Sequence, residues 1–332
     1  MTDAVATEPT AAPDPYRPPP PVPWNAGEIV FLFFFLFLVF FVYFWPSVAF
    51  ESLRSTGFFA WYYPDQPSNG QARQQLWTTP LAFPFQVATV LGLAFLFLGV
   101  RPAALGLTRQ RLVRNVALGF GCAALLTPLV VGLHQLLVAL YKQGLGVAEQ
   151  KHPLARLGET NLTGLEWGLL LFTAIVAAPV VEELLFRGVF QPAAGKSRWG
   201  GLVGIGLAAV LIALIRQDQF SAAVRQLRDA DWTAAMPTVL DALAPVAFLL
   251  ATVLVFFLTA SRSRDYTGPA ILGTSVLFAM VHAGVWPSPI ALFVLSLGLG
   301  WLKERTRSLV GPIVLHSLFN AVNCVMLMQA SG

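Results

Sequence analysis

Charged residues are scarce in this chain. Asp, Glu, Lys and Arg together make up 11% of its 332 residues, whereas hydrophobic residues make up 56%. A soluble globular protein carries about 25% charged residues, so this composition excludes a water-soluble domain as the main body of the protein. Cysteine is also rare, since only Cys122 and Cys324 occur, both within apolar runs. Neither a disulfide framework nor a cysteine metal cluster is therefore indicated.

The chain also lacks a block of basic residues. Its formal net charge is +4, and the Lys and Arg residues are scattered through the polar segments between apolar runs. This distribution is typical of membrane topology signals rather than of a nucleic-acid-binding surface. The polar segments on the side of the amino terminus hold more Lys and Arg than those on the other side. This bias predicts a cytoplasmic amino terminus.

The apolar runs, by contrast, are long and frequent. About 20 apolar residues cross the hydrocarbon core as a helix, whereas barrel strands are roughly 10 residues of alternating polarity. The run at 29–44 shows no alternation. The sequence predicts an all-α fold, a polytopic transmembrane helical bundle of about nine spans within a range of eight to ten. The predicted spans are 28–50, 79–100, 113–141, 163–194, 199–215, 237–260, 268–284, 287–302 and 308–329.

A Pro-rich, slightly acidic segment at 1–27 precedes the first span. It cannot bury enough apolar area to offset the entropy of ordering, so a disordered tail is predicted. It lacks the basic-then-apolar order of a cleavable signal, so the first span is expected to remain in the mature protein. Amino-terminal transmembrane helices at 28–100 and a second region at 101–332 complete the predicted organisation.

Ionisable residues inside the apolar spans are candidates for function, because a charge at the membrane centre costs roughly 2.5 to 3.5 kcal/mol on insertion scales. The first such place is Glu182, Glu183 and Arg187, within the span 163–194. The spacing of four residues from Glu183 to Arg187 favours a helical ion pair, and Glu182 lacks such a partner. The alternative is that both acids merely end the helix at the interface.

Two further places carry histidines. His282 follows Phe278 by one helical turn, and His316 precedes Asn320 by the same spacing, which puts imidazole and amide on one helical face. Each has a structural alternative, since such residues also pack or hydrogen-bond between membrane helices. Two other histidines, His134 and His152, lack comparable neighbours and are left out of the predicted site.

The predicted depths of these residues agree in part. With helices ending near Lys196 and starting at Gly268, both Glu182 and His282 lie about 21 Å from the same membrane face. His316 lies roughly 12 Å from that face and agrees less well. Groups on separate helices nevertheless have access to one neighbourhood, as in sites built in the core of helical bundles.

Three segments in order carry a resemblance to a known family. These are EELLFR followed by GVF, then FAMVH, and finally HSLFN preceded by GWLKERTRSLVGPIVL. Together they resemble the signature segments of the CAAX-processing and bacteriocin-processing (CPBP) family of membrane proteases, over about residues 100 to 329. The resemblance implies a CPBP-like intramembrane protease core at 101–332.

One feature departs from the family pattern. Glu182 and His282 are 100 residues apart in the sequence, which is farther than the family's usual separation. The additional chain is interpreted as an inserted transmembrane hairpin at about 199–260, whose two spans are joined by a polar loop around Arg216 to Asp231. Because two crossings restore the original side, His282 would still approach Glu182 from the same direction.

The resemblance and the chemistry of the side chains together imply an intramembrane endopeptidase that cleaves a membrane-associated or membrane-delivered peptide. Glu182 as general base would act with His282 on the attacking water, while His316 and Asn320 would orient that water or stabilise the oxyanion. Glu183, Arg187 and Phe278 would support the site. Metal dependence stays open: a Zn²⁺ ion held by Glu182, His282 and His316 is one option, although the HExxH pattern is absent.

Two other classes of function compete with this hypothesis. Membrane acids and histidines can form the proton relay of a proton-coupled transporter, and a non-catalytic scaffold or immunity-type protein can share the fold. The expected partners are a peptide or protein substrate and the lipid bilayer, without nucleic acid. A multi-pass protein of the bacterial plasma membrane is predicted. The sequence does not determine the oligomeric state, the substrate or whether substrates are prenylated.

Overall fold

The computed structural model describes residues 35, 39 and 42 and the ranges 70–146, 153–158, 162–197, 199–228, 232–261 and 265–331. Every regular element of two or more residues within these ranges is helical. The predicted tail at 1–27 and nearly all of the predicted span 28–50 lie outside the described residues.

The helices, in chain order, are α1 (Gly70–Leu98), α2 (Leu112–Leu145), α3 (Pro153–Gly158), α4 (Gly164–Phe172), α5 (Ala178–Glu183), α6 (Gln191–Ala194), α7 (Gly200–Ile215), α8 (Gln217–Arg228), α9 (Trp232–Ala260), α10 (Thr267–Met280), α11 (Ser288–Thr306) and α12 (Val310–Ser331). A short 3₁₀ turn, Ala283–Val285, lies between α10 and α11. Eight of the predicted apolar spans coincide with helical parts of the structure, namely α1, α2, the stretch from α4 to α6, α7, α9, α10, α11 and α12. The prediction of an all-helical protein is confirmed.

Several helical stretches are long and apolar enough to cross a membrane. Among the described residues there are five of them, and a sixth if the pair α7 and α8, bent by 64°, forms one span. The five are Leu76–Phe97, Leu112–Gly144, Gly164–Ala194, Ala235–Ala260 and Val310–Gln329. The chain is thus an integral membrane protein, and the total of about nine spans stays a prediction.

The segment between α7 and α9 differs from the predicted polar loop at Arg216 to Asp231. The helix α8 occupies most of it. Asp218 lies in the first turn of this helix and Arg225 and Arg228 lie in its last turn. These charges complement the helix dipole at both ends, which explains how a polar segment becomes helical.

The stretch from Gly164 to Ala194 is a helix interrupted twice. Its start is fixed by a capping box, in which the Thr163 backbone N–H donates to the Glu166 carboxylate at 2.8 Å and the Glu166 N–H donates to the Thr163 hydroxyl at 3.3 Å. Two π-helical segments, Thr173–Ala177 and Leu184–Phe190, then flank α5. Such π segments re-aim the side chains that follow them, and they are frequent at functional sites.

Close packing of α7 on α10 buries the residues near the end of α10. Gly204 on α7 lies against Gly273 on α10, so that a Cβ atom on Gly204 would lie 2.6 Å from the Gly273 carbonyl oxygen. Small residues at such contacts allow membrane helices to approach closely. Phe278, near the end of α10, is consequently 1% exposed.

Candidate active site

A buried ion pair lies at the end of α5. The Arg187 Nη1 donates to Glu183 Oε1 at 3.1 Å, and both side chains are 0% exposed. The other terminal nitrogen of Arg187 donates to the hydroxyl of Ser296 on α11 at 2.5 Å. The pair predicted from the four-residue spacing is therefore present, and it also ties α5 to α11.

His316 on α12 connects the two adjacent acids. Its Nδ1 atom lies 3.0 Å from Glu183 Oε1, and its Nε2 atom lies 3.8 Å from Glu182 Oε2. Because a carboxylate oxygen only accepts hydrogen bonds, we place a proton on Nδ1 of His316, which then donates to Glu183. The opposite ring nitrogen then faces Glu182, at a separation that one water molecule can bridge.

The two acids differ in their surroundings. The Glu183 side chain is fully buried, whereas 16% of the Glu182 side chain is exposed. Glu182 lines a cavity. The two acids therefore divide into a buried anchor, Glu183, and a carboxylate that a bound molecule can reach, Glu182.

His282 lies at the turn that follows α10. Its Nδ1 atom donates to the carbonyl oxygen of Phe278, one turn earlier, at 3.2 Å. The backbone N–H of His282 donates to the Ala279 carbonyl at 3.0 Å. In the neutral ring that donates from Nδ1, the Nε2 atom carries the lone pair and can act as an acceptor or base.

Asn320 lies one turn after His316 on α12. Its Nδ2 atom donates to the carbonyl oxygen of Ala174 at 2.7 Å. Ala174 belongs to the π-helical segment Thr173–Ala177 that precedes α5. The interruption of helical hydrogen bonding thus supplies an acceptor for the amide of Asn320, whose second N–H is left for other contacts.

Phe278 packs between the other residues of the site. Its ring centroid lies 5.5 Å from that of His282 and 5.7 Å from that of His316. The Arg187 Cζ atom lies 4.5 Å from the centroid of the same ring, which is within the range of a cation–π contact. Phe278 therefore holds both imidazoles apart and shields the buried ion pair.

These side chains meet at one cavity of about 380 Å³. Glu182, Phe278, His282, His316 and Asn320 line it, and most of its remaining wall is apolar. Its volume lies in the range of about 300–1,000 Å³ that is common for small-molecule sites. A carboxylate, two imidazoles and an amide converging on an apolar cavity can activate a water molecule and stabilise negative charge that develops on a bound carbonyl oxygen.

Further polar residues that were not predicted as part of the site also line the cavity. His134 and Gln135 on α2 line it, as do Ser288 and Asn323. His134 shares a helical face with two further lining residues, Val130 and Val131. A single histidine in a long apolar helix gives no sequence signal of this kind, so only the packing of α2 revealed its position.

The predicted zinc ligands do not form a metal-binding group in this arrangement. Across the described ranges, no set of three or more His, Cys, Asp or Glu side chains is placed to hold a metal ion. The Nδ1 atoms of His282 and His316 are engaged with the Phe278 carbonyl and with Glu183. These contacts leave the Nε2 atom of each ring for a metal, so zinc binding by Glu182, His282 and His316 stays a hypothesis.

Comparison with known families finds a similarity in the carboxyl-terminal part of the chain. A family model described as type II CAAX prenyl endopeptidase Rce1-like matches residues 164–266 and 249–322. The match supports the CPBP resemblance over this carboxyl-terminal part of the chain, which is similar to that family of membrane peptidases. No curated protein and no solved structure matches the chain. The matched segments include each of Glu182, His282, His316 and Asn320.

Proposed function

We propose that the protein is an intramembrane endopeptidase that hydrolyses a peptide bond of a membrane-associated or membrane-delivered peptide. The observation that carries the proposal is the convergence of Glu182, His282, His316 and Asn320 on one cavity within a helical membrane protein. The family match over residues 164–322 adds independent support. The glutamate-dependent chemistry is our assignment of roles to these residues.

Glu182 acts as the general base. Its carboxylate accepts a proton from a water molecule in the cavity while the water oxygen bonds to the carbonyl carbon of the substrate. His282 helps to orient and polarise the same water through its Nε2 lone pair. A water bound near Glu182 also lies within reach of His316, whose Nε2 atom is 3.8 Å from the Glu182 carboxylate.

His316 and Asn320 stabilise the tetrahedral oxyanion. When His316 is protonated, Nδ1–H donates to Glu183 and Nε2–H points into the cavity. Arg187 holds Glu183 in place beside His316. Asn320 contributes its second amide N–H. Fixed donors of this kind are worth about 10²- to 10³-fold in rate each.

The tetrahedral intermediate then collapses. The C–N bond breaks, the carbonyl re-forms, and the proton held by Glu182 passes to the leaving amine. The new carboxyl group carries the oxygen of the attacking water, and Glu182 returns to its ionised form. The reaction is thus a hydrolysis that consumes one water molecule and forms no covalent intermediate with the enzyme.

The substrate class follows from the wall of the cavity and from the family. An apolar wall accepts an extended peptide with apolar side chains or a lipid-modified peptide, and the matched family is described by its CAAX prenyl substrates. The Lys and Arg distribution favours a cytoplasmic amino terminus, and a bacterial plasma membrane stays a prediction. Zn²⁺ bound by Glu182, His282 and His316 is the alternative mechanism.

The test uses purified protein in detergent and in liposomes with a peptide library that contains prenylated and unprenylated members. Mass spectrometry identifies cleavage by the wild type, and Glu182→Gln should cleave nothing above background. Cleavage that persists in the purified variant would overturn the role of Glu182. The absence of any cleavage by the wild type across the library would count against the peptidase itself.

The same preparation separates the two competing functions. A proton-coupled transporter would dissipate a pH gradient across the liposome membrane with no peptide cleaved. A non-catalytic scaffold would retain its cellular phenotype in the variants Glu182→Gln and His282→Ala. An endopeptidase should lose its phenotype in both variants while each still inserts into the membrane and folds.

A further inference from the structure

A second buried cation lies outside the site described above. Arg216 occupies the bend between α7 and α8, and its side chain is 0% exposed. Its backbone N–H donates to the Ile212 carbonyl at 2.9 Å, so it caps the carboxyl end of α7. Its position in the sequence, at the edge of a polar segment, predicts a solvated residue, and the structure overturns that expectation.

The guanidinium of Arg216 joins two separate parts of the chain. Its Nη2 atom donates to Asp241 on α9, both to the carboxylate at 2.5 Å and to the backbone carbonyl at 3.2 Å. Its Nη1 atom donates to the backbone carbonyl of Ala283 at 3.3 Å. The contacts with Asp241 join the end of α7 to α9. The contact with Ala283 joins the end of α7 to the turn that follows α10.

Ala283 is the residue directly after His282. This turn has few regular hydrogen bonds of its own: the His282 N–H donates to the Ala279 carbonyl, and the Val285 N–H donates to the His282 carbonyl, both at 3.0 Å. The Arg216 contact adds a hydrogen bond to this turn from a charged group. Trp286, at the end of the turn, adds an indole that donates to the Tyr141 hydroxyl.

We propose that Arg216, held by Asp241, is a positioning residue for His282. This inference rests on the proposed function, because it assigns the segment at 199–260 a role in that reaction. The segment supports the His282 turn from outside the cavity. Arg216 itself is not among the residues that line the cavity, so it acts through the backbone and not on the substrate.

The physical argument concerns what happens when the cation is removed. The Ala283 carbonyl and the Asp241 carboxylate would both lose a charged donor in a buried place, and a buried carboxylate without its partner is strongly unfavourable. The turn would then shift to find other partners. A misplacement of a catalytic group by about 1 Å can lower a rate by about 10²-fold, even when binding is unaffected.

A purely structural role for the Arg216–Asp241 pair predicts something different. If the pair only holds α7 against α9, replacing both charges with apolar side chains of similar size should leave the site unchanged, as is often found for buried ion pairs. The double variant Arg216→Met with Asp241→Leu removes the charges without leaving one of them unpaired. The double variant should therefore keep α7 packed against α9 while the Ala283 carbonyl loses its donor. A change at the His282 turn can then be attributed to the lost contact with Ala283.

The experiment measures backbone amide hydrogen exchange at 281–286 in full-length protein in detergent, without substrate. We expect exchange in this segment to become about tenfold faster or more in the double variant, while exchange at 314–320 on α12 stays as in the wild type. Arg225→Met, an exposed arginine on α8, serves as the matched control and should leave both segments unchanged.

Cleavage kinetics provide the second measurement. The double variant should lose about 10- to 100-fold in kcat with KM within about threefold of the wild type, because the site loses alignment and not substrate contacts. Arg216→Lys should show partial loss, since a compact ammonium group lacks the planar fork with which the guanidinium reaches Asp241 and the Ala283 carbonyl from opposite nitrogens. The inference is overturned by a double variant with wild-type exchange at 281–286, or with wild-type kcat. A wild type that cleaves nothing counts against the proposed function, and the exchange result still decides the role of Arg216.

Discussion

The imidazole of His316 lies between two acids with opposite roles, and its Nε2 atom is 3.8 Å from the Glu182 carboxylate. The other ring nitrogen is fixed by Glu183, which is itself fixed by Arg187. The buried ion pair of Glu183 and Arg187 therefore orients His316 toward Glu182.

Glu182→Gln should abolish peptide cleavage. An amide cannot take up the proton of the attacking water, and general base catalysis is worth about 10²- to 10⁴-fold in rate. Initial rates of cleavage of one identified peptide provide the measurement, with thermal unfolding in detergent to show that the variant is folded. Asp218→Asn, which replaces an exposed acid on α8, is the matched control and should keep wild-type rates.

Arg187→Met should destabilise the protein by about 3 to 5 kcal/mol, because it leaves the fully buried Glu183 carboxylate without its cation. Adding Glu183→Gln should restore much of this stability but not activity, since His316 would lose its charged acceptor. Reversible unfolding in mixed micelles gives the free energies. Arg307→Met removes a half-exposed partner of Glu304 and should cost less than about 1 kcal/mol. Equal effects of the two arginine substitutions would contradict the buried role of Arg187.

Asn320→Ala should lower kcat by about 10²- to 10³-fold through loss of an oxyanion donor. The matched control is Asn115→Ala. Asn115 also donates its amide to a backbone carbonyl, that of Gln110 at 3.1 Å, but it lies outside the cavity. Both variants lose one hydrogen bond, so similar changes in stability are expected, whereas activity should fall only for Asn320. An equal loss of activity in the two variants would show that Asn320 acts only in folding.

Chelation should leave cleavage by the purified protein unchanged, and the protein should carry less than one equivalent of zinc. The reason is that, within the part of the chain that the structure describes, the three candidate ligands are not gathered as a metal-binding group. Incubation with a strong chelator followed by metal analysis and an activity assay makes the comparison. Loss of activity that added Zn²⁺ restores would replace the glutamate mechanism with a zinc mechanism.

Gly204→Ala should destabilise the bundle, because the new Cβ atom would lie 2.6 Å from the Gly273 carbonyl oxygen. Overpacking of this kind costs about 1–3 kcal/mol. Gly206→Ala on the same helix is the matched control, since a Cβ atom there meets nothing within 4 Å. The control should be neutral or slightly stabilising, because Ala is the better helix former. Thermal unfolding in detergent compares the two.

The sequence by itself identified the membrane class, the positions of most apolar helices and some of the polar residues that line the cavity. The length of an apolar run predicts the length of a membrane helix, and an acid four residues before an arginine predicts an ion pair within one helix. Both features are local, so neither depends on distant parts of the chain. The pair of Glu183 and Arg187 was predictable for this reason. The convergence of Glu182, His282 and His316 followed from depth and from resemblance and could be stated only as an expectation.

Tertiary structure alone decided which polar residues meet across long separations in the chain. It joined His316 to Glu183, Arg216 to Asp241 and to the Ala283 carbonyl, and brought His134 to the cavity wall. The sequence places Arg216 in a polar loop and leaves Asp241 without a partner, yet the two form a buried pair. The physical reason is that these contacts depend on which helix faces pack together, and nearly uniform apolar helices carry no periodic signal that marks the packed face.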